Sequence, residues 1–343
     1  MTLTRRAFGL GLGAVAVTSV ARASEPVQRA RLHVPRYGPA LATDGTTAIL
    51  AGGAPIGAEN QDDHVYSNLL SLVESIDPRT LDQVFRANAI FPRANHAAIW
   101  IDGQLWLLGG RTRIGEERRL AFETERIDLE EQAIWRGPDL PVGLIHLAAV
   151  VVGKSIFVFG GVRRDNESRS SVATAEVYEC APPYTSWQAR SPMPIALGNG
   201  AAVVVGNKVY VIGGYDQSKA HAITQIYDPD RDTWSAGPPP PAPLSAHAAA
   251  ALDGHIYTFG DYQNQASTFA LSLESGTWRT LELPFSPRRH VRAVAVGKRI
   301  VVAGGNQTSY APASDVVESF PAVVLSNAVR SAASMSRAKT GNV

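Results

Sequence analysis

A chain of 343 residues with 45% hydrophobic and 18% charged side chains carries enough apolar material for a sizeable core, and 30 glycines with 22 prolines point to frequent turns rather than long helices. Lysine and arginine number 32 against 31 aspartates and glutamates, a formal charge of +1 that gives no reason to expect nucleic acid or an anionic membrane as a partner. The single cysteine, Cys180, excludes an internal disulfide.

At the amino terminus Arg5-Arg6 follows Thr4, Phe8 stands two places on, and an uncharged run over residues 9–20 ends in Ala21-Arg22-Ala23. This pattern predicts a twin-arginine export signal over residues 1–23, read by the export machinery and cleaved after Ala23. A bacterial protein exported folded to the periplasm or beyond follows, with no membrane partner after cleavage, because the run is short and rich in glycine and alanine. Residues 27–34 then read as an outer strand.

From there a unit recurs that is clearest over residues 199–234. Apolar residues fill 201–205, Gly206-Asn207 turns the chain, and 208–212 returns to Gly213-Gly214; residues 223–227 give a third strand, Asp228-Pro229-Asp230 a turn, and Trp234 opens a fourth. Hairpin glycines recur at Gly45, Gly103, Gly153, Gly206, Gly254 and Gly297. Seven residues before each stand Gly38, His96, His146, Asn199, His247 and His290. Six or seven after each come Gly52-Gly53, Gly109-Gly110, Gly160-Gly161, Gly213-Gly214, Gly260-Asp261 and Gly304-Gly305. A four-stranded unit cannot bury both of its faces alone, so the copies must pack on one another.

These glycine pairs, with Tyr227-Asp228 and with Trp135, Trp187, Trp234 and Trp278 opening the outer strands, resemble the kelch repeat. The resemblance implies an all-β fold: a monomeric six-bladed propeller over residues 24–326, with four antiparallel strands per blade. The sixth repeat lacks a Trp-led fourth strand, so residues 27–34 are expected to supply it and close the ring; residues 322–326 are the competing donor. The tail, residues 327–343, is small, polar and basic and is expected to lack order. The connectors after the glycine pairs are longest in the first three repeats, and chain direction puts them all on one face.

On that face His96, His146, Asn199, His247 and His290 would ring the axis. Four imidazoles suggest a metal site, but residues spread round a ring stand too far apart for bonds of about 2 Å, and an architectural role is the stronger reading, with no metal and no cofactor. Arg36, Arg93, Arg288, Arg289 and Arg292 flank the inner strands, and their guanidinium forks suit a carboxylate-bearing ligand. Asp261 replaces the second glycine of the fifth pair. The chain is similar here to the exported bacterial sialic-acid mutarotases, a resemblance that would make Asp261 a general base and the arginines a carboxylate clamp; the alternative is a loop carboxylate accepting backbone hydrogen bonds. A copper radical oxidase would need a cysteine at the axial face, and Cys180 lies in a turn on the opposite one. Nucleophilic triads, phosphate loops and CxxC pairs are absent. The functional expectation is a protein or glycan ligand bound on the long-loop face at Arg36, Arg93, His96, His146, Asn199, His247, Arg288 and His290, with a mutarotase or epimerase acting on an acidic sugar as the alternative.

Overall fold

The structure is a computed structural model that describes residues 25–55, 68–164, 170–308 and 312–340. The export signal and the acidic connector with Asp62 and Asp63 lie outside the described residues.

The repeat at residues 199–234 folds as four antiparallel strands, Ala201–Val205, Lys208–Ile212, Thr224–Asp228 and Thr233–Ala236, in chain order. Gly206, at φ +60°, takes the left-handed turn position that a side chain would resist. Trp234 packs its ring against Tyr227 and against Phe159 of the preceding sheet, and its indole N–H donates to the Ser191 carbonyl at 2.9 Å. The outer tryptophan therefore joins one sheet to the next.

Six four-stranded sheets of this kind are present among the described residues. Their innermost strands are Ala40–Thr43, Ala97–Ile101, Ala148–Val152, Ala201–Val205, Ala248–Leu252 and Arg292–Val296, each beside the next and the last beside the first. The core lies between the sheets. Ile99, Trp106 and Leu108 of the second meet Ile156, Val158 and Cys180 of the third, and Leu41 and Leu50 of the first meet Val296 and Val301 of the sixth. The outermost strand of the sixth sheet is Gln28–Arg31, antiparallel to Val316–Pro321, with Gln28 opposite Ser319 and Arg31 opposite Val316.

Two of the long connectors form hairpins of their own: Arg111–Ile114 with Glu117–Leu120, extended by Arg93–Ala94, and Val162–Arg164 with Ser171–Ala173. Charged residues in the first pair locally, Arg113 with Glu116 at 2.8 Å and Arg119 with Glu123.

The tail corrects the expectation of a region without order from residue 327. Residues 322 to 340 form one helix, α1 (Ala322–Thr340). Composition undercounted the apolar material because it sits at helical spacing: Leu325 is buried, and Ala328, Val329 and Ala332 pack against the core of the fifth and sixth sheets. Residues 322–326, the competing strand donor, are the first turn of this helix.

Candidate functional site

Counting back from the first glycine of each pair orders the molecule around its axis. Sixteen residues before it stand Arg36, Arg93, Leu144, Leu197, Leu244 and Arg288. The carbonyl of each residue approaches the glycine of the preceding sheet: a Cβ on Gly52 would lie 2.6 Å from the Arg93 oxygen, and one on Gly109 would lie 2.5 Å from that of Leu144. The second glycine then donates its N–H to that same oxygen, Gly53 to Arg93 at 2.6 Å and Gly110 to Leu144 at 2.7 Å. The double glycine is thus a joint between sheets.

Fourteen residues before the glycine stand Gly38, Asn95, His146, Asn199, Ala246 and His290, all with φ between 52° and 57°. A chain of backbone bonds runs along them, each N–H donating to the carbonyl of the one before: Asn95 to Gly38 at 2.7 Å, His146 to Asn95 at 3.0 Å, Asn199 to His146 at 3.0 Å, Ala246 to Asn199 at 2.9 Å and His290 to Ala246 at 2.7 Å.

The expectation that Arg36, Arg93 and Arg288 hold a ligand is corrected. They are 0%, 1% and 1% exposed, out of reach of anything in solution. Arg93 puts Nε and Nη2 on Glu125 Oε1 at 3.0 and 2.8 Å, and Nη1 on the Gly109 and Glu123 carbonyls at 2.8 and 2.9 Å. Arg288 pairs with Glu318 Oε2 at 2.7 Å and donates to the Gly304 carbonyl at 2.9 Å. Arg36 pairs with Glu74 and donates to the Gly52 and Leu72 carbonyls, both at 3.0 Å. Burial pulls these guanidiniums below their ordinary range, against the opposing pull of each glutamate. Burial likewise pushes the Glu318 carboxyl up, but Arg288, Arg29 and Ser286 outweigh it and hold the group below the usual carboxylate range.

His96 and His247 do not join His146, Asn199 and His290 on the connector face. Each stands one residue beyond the left-handed position, because the second and fifth hairpins turn on Asp102-Gly103 and Asp253-Gly254, with glycine second rather than first. Their rings press against Gly52 and Gly213 of the preceding sheets, and Leu147 meets Gly109 in the same way. Burial holds His96 well below the usual imidazole range, helped by the charges of Arg93, Arg292 and Arg36. Burial lowers His247 to about 4, with Asp261 opposing and Arg292 assisting. No group of three or more His, Cys, Asp or Glu side chains among the described residues is placed to hold a metal ion.

His146, Asn199 and His290 do come together, in a cavity of about 670 Å³ on the connector face. The two imidazoles meet with centroids 5.9 Å apart, and Tyr37 and Tyr262 stand edge-on to His290 at 5.1 and 6.0 Å. Tyr215, Arg111, Lys219, Ser171 and Gln217 also line it. The Arg289 guanidinium lies 3.9 Å from the Tyr262 ring centroid and fixes that tyrosine from behind. Sequence reading missed Tyr37 and Tyr215. The signal was available, since Arg111, Val162, Tyr215 and Tyr262 all stand two residues after a first glycine and all line the cavity.

Asp261 is on the cavity wall, 5% exposed, and accepts three backbone hydrogen bonds. Oδ1 accepts the Ser245 N–H at 2.8 Å, and Oδ2 accepts those of Gln263 and Asn264 at 2.9 and 3.0 Å. In the fourth sheet the N–H equivalent to that of Ser245 belongs to Gly198 and goes to the Tyr215 carbonyl at 3.0 Å. The aspartate replaces a backbone acceptor and holds the loop, the arrangement of the loop-carboxylate alternative. Cys180 is buried and its thiol is pushed up to about 11 by that burial, which leaves it unreactive.

Comparison with known proteins places this architecture. The family model described as KLHDC2/KLHL20/DRC7 Kelch-repeats domain matches residues 95–305. Beta-scruin of Limulus polyphemus is 27% identical over 138 residues, 39% of this chain and 14% of that protein. Spermatocyte protein spe-26 of Caenorhabditis elegans is 29% identical over 140 residues, 40% of this chain and 24% of that one. Kelch-like protein 25 of Xenopus tropicalis is 27% identical over 164 residues, 48% and 26% of the two chains. The chain thus spans about a quarter or less of the length of these relatives. The solved structure of YjhT superposes with a TM-score of 0.69 at 14% identity, covering 84% of this chain and 95% of that one, a likeness of fold. With its glycine-pair joints repeated from sheet to sheet and a family model spanning residues 95–305, the chain belongs to the kelch-repeat family.

Proposed function

We propose that this protein is a binding module: a six-bladed propeller, its ring closed by Gln28–Arg31, that takes a segment of a partner protein or a glycan chain in the tyrosine-lined cavity. The observation that carries the reading is the composition of that wall. Three tyrosines, two histidines, Asn199, Gln217 and Ser171 face about 670 Å³ together with Arg111, Lys219 and Asp261, a mixture of flat apolar rings and hydrogen-bonding or charged tips that suits a polar ligand. The connectors of several sheets converge there, so the wall can change while the joints beneath stay constant. Export of the folded protein through the twin-arginine route belongs to the same proposal and rests on Arg5-Arg6; Lys-Lys at these positions should hold the precursor in the cytoplasm.

The test is panning of a peptide library and a glycan array with wild type and with the Tyr215→Ala/Tyr262→Ala variant. A selected ligand should lose about tenfold or more in affinity on that variant; retained affinity places the ligand elsewhere and refutes the reading. The mutarotase alternative is checked on the same protein by anomer exchange of sialic and uronic acids in NMR. Exchange no faster than buffer is expected, since the Asp261 carboxylate is engaged by three N–H groups.

A further inference from the structure

A second cavity lies along the axis below the chain of left-handed residues. Twelve residues before the first glycine, five sheets carry alanine (Ala40, Ala97, Ala148, Ala201, Ala248), and the sixth carries Arg292. Their strands line about 440 Å³ walled mostly by alanine and valine, with Leu41, Ile99, Trp100 and Leu147, and the long polar side chains on this wall are His96, His247 and Arg292. Five methyl groups at one level leave the room that a single arginine occupies.

The electrostatics of this cavity are incomplete. Among the described residues Arg292 makes one hydrogen bond, Nη1 to the Val291 carbonyl at 3.3 Å, and no carboxylate pairs with it. This contrasts with Arg36, Arg93 and Arg288, each of which has a glutamate. Neither ring nitrogen of His96 or His247 meets a hydrogen-bond partner among the described residues, although the two side chains are 0% and 2% exposed. Buried polar groups are costly unless they are paired, which applies to the two imidazoles, and Arg292 is half-buried with its charge uncompensated. Burial accordingly holds the Arg292 guanidinium below its ordinary range, and its charge bears on both imidazoles.

We propose that the axial cavity is a binding site for an aliphatic monocarboxylate, with the carboxylate on the Arg292 fork and the hydrocarbon along the alanine and valine wall. One guanidinium supplies one positive charge, and its planar fork matches a carboxylate. A neutral imidazole can add an N–H donor without adding a second charge. A dianion would leave charge uncompensated, and a neutral lipid would leave Arg292 unpaired. The site is separate from the tyrosine cavity, with which it shares no lining residue.

The probe is octanoate, titrated calorimetrically into wild type, Arg292→Met and Ala201→Leu, with octan-1-ol, octylamine and formate as comparators. Octanoate should bind wild type and lose about tenfold or more on Arg292→Met. Octanol and octylamine, with the same tail but no carboxylate, should bind more weakly than octanoate. Formate should bind more weakly too, because it lacks the tail. Should Arg292→Met fail to fold, Ala201→Leu keeps the charge and fills the cavity, and it should abolish binding while its melting temperature is retained. Tyr215→Ala should leave octanoate binding unchanged, which separates this site from the one proposed for the partner. Absence of octanoate binding to wild type at millimolar concentration overturns the proposal. Equal affinity on Arg292→Met, equal affinity for octanol, or undiminished binding to Ala201→Leu does the same.

Discussion

The sixth, first and second sheets answer one packing problem differently from the third, fourth and fifth. At the same register the former place Arg288, Arg36 and Arg93 against Glu318, Glu74 and Glu125 of their third strands. The latter place Leu144, Leu197 and Leu244, with Tyr178, Gln225 and Phe269 at the matching third-strand positions opposite Val158, Val211 and Thr258. The shared duty sits in the backbone, where each residue offers its carbonyl to the preceding glycine joint. The side chain needs only to fill its space and satisfy the loop N–H groups beside it. Glu125 accepts those of Ile90 and Phe91 at 2.6 and 3.2 Å, and Gln225 accepts that of Ile195 at 2.9 Å. An ion pair and a leucine are therefore alternative solutions, in keeping with the near-balance of desolvation and attraction in buried pairs.

Breaking one pair should have the largest effect. Arg93→Leu leaves Glu125 charged and buried, and should cost about 3–5 kcal/mol in urea unfolding. Arg288→Leu should cost less, because Arg29 still donates to Glu318 at 2.9 and 2.7 Å. Equal losses at the two sites would mean that the residual partner is irrelevant.

Acid should act on both halves. The His247 imidazole is lowered from an ordinary 6.5 to about 4, so its contribution is present above pH 6.5 and is lost as pH falls toward 4, by on the order of 3 kcal/mol. Glu318 is also held low, and its contribution is present above the ordinary carboxylate pKa and lost below it. His247→Leu copies Leu147 at the equivalent joint, and should flatten the fall in melting temperature between pH 6.5 and 4.5. An unchanged slope would assign the acid sensitivity to other groups.

The smallest effect is expected at Asp261, which stands in for a backbone acceptor in the uncharged half. Asp261→Ala orphans the buried Ser245 N–H, while the part-buried N–H groups of Gln263 and Asn264 can turn to water, and should cost about 1–3 kcal/mol. Hydrogen exchange at Ser245, Gln263 and Asn264 should speed up locally, and no such change would mean that the carboxylate is not the acceptor.

Much of the fold was legible because glycine is the residue whose position the backbone dictates. The glycine pairs, the turns and the tryptophans located the repeats and the outer strand of the sixth sheet. The site was less legible because the hairpin glycine is a poor ruler: Gly103 and Gly254 are second in their turns, which shifted His96 and His247 by one residue. Measured from the glycine pair, the left-handed residues fall into line. The glutamates were harder to see, since Glu74, Glu125 and Glu318 look like ordinary polar positions in alternating strands until the fold brings an arginine to each. The helix α1 was hidden for a related reason, its few apolar residues lying on one face.

The central claim is that the inner arginines are part of the scaffold and that leucine with glutamine can replace arginine with glutamate. A double-mutant cycle in urea on Arg93→Leu and Glu125→Gln tests it, the double variant reproducing the Leu197 and Gln225 arrangement of the fourth sheet. We expect the double variant to recover most of the stability lost by Arg93→Leu alone, while binding at the tyrosine cavity is kept. A double variant no more stable than Arg93→Leu alone, or one that folds fully yet loses ligand binding, would contradict it.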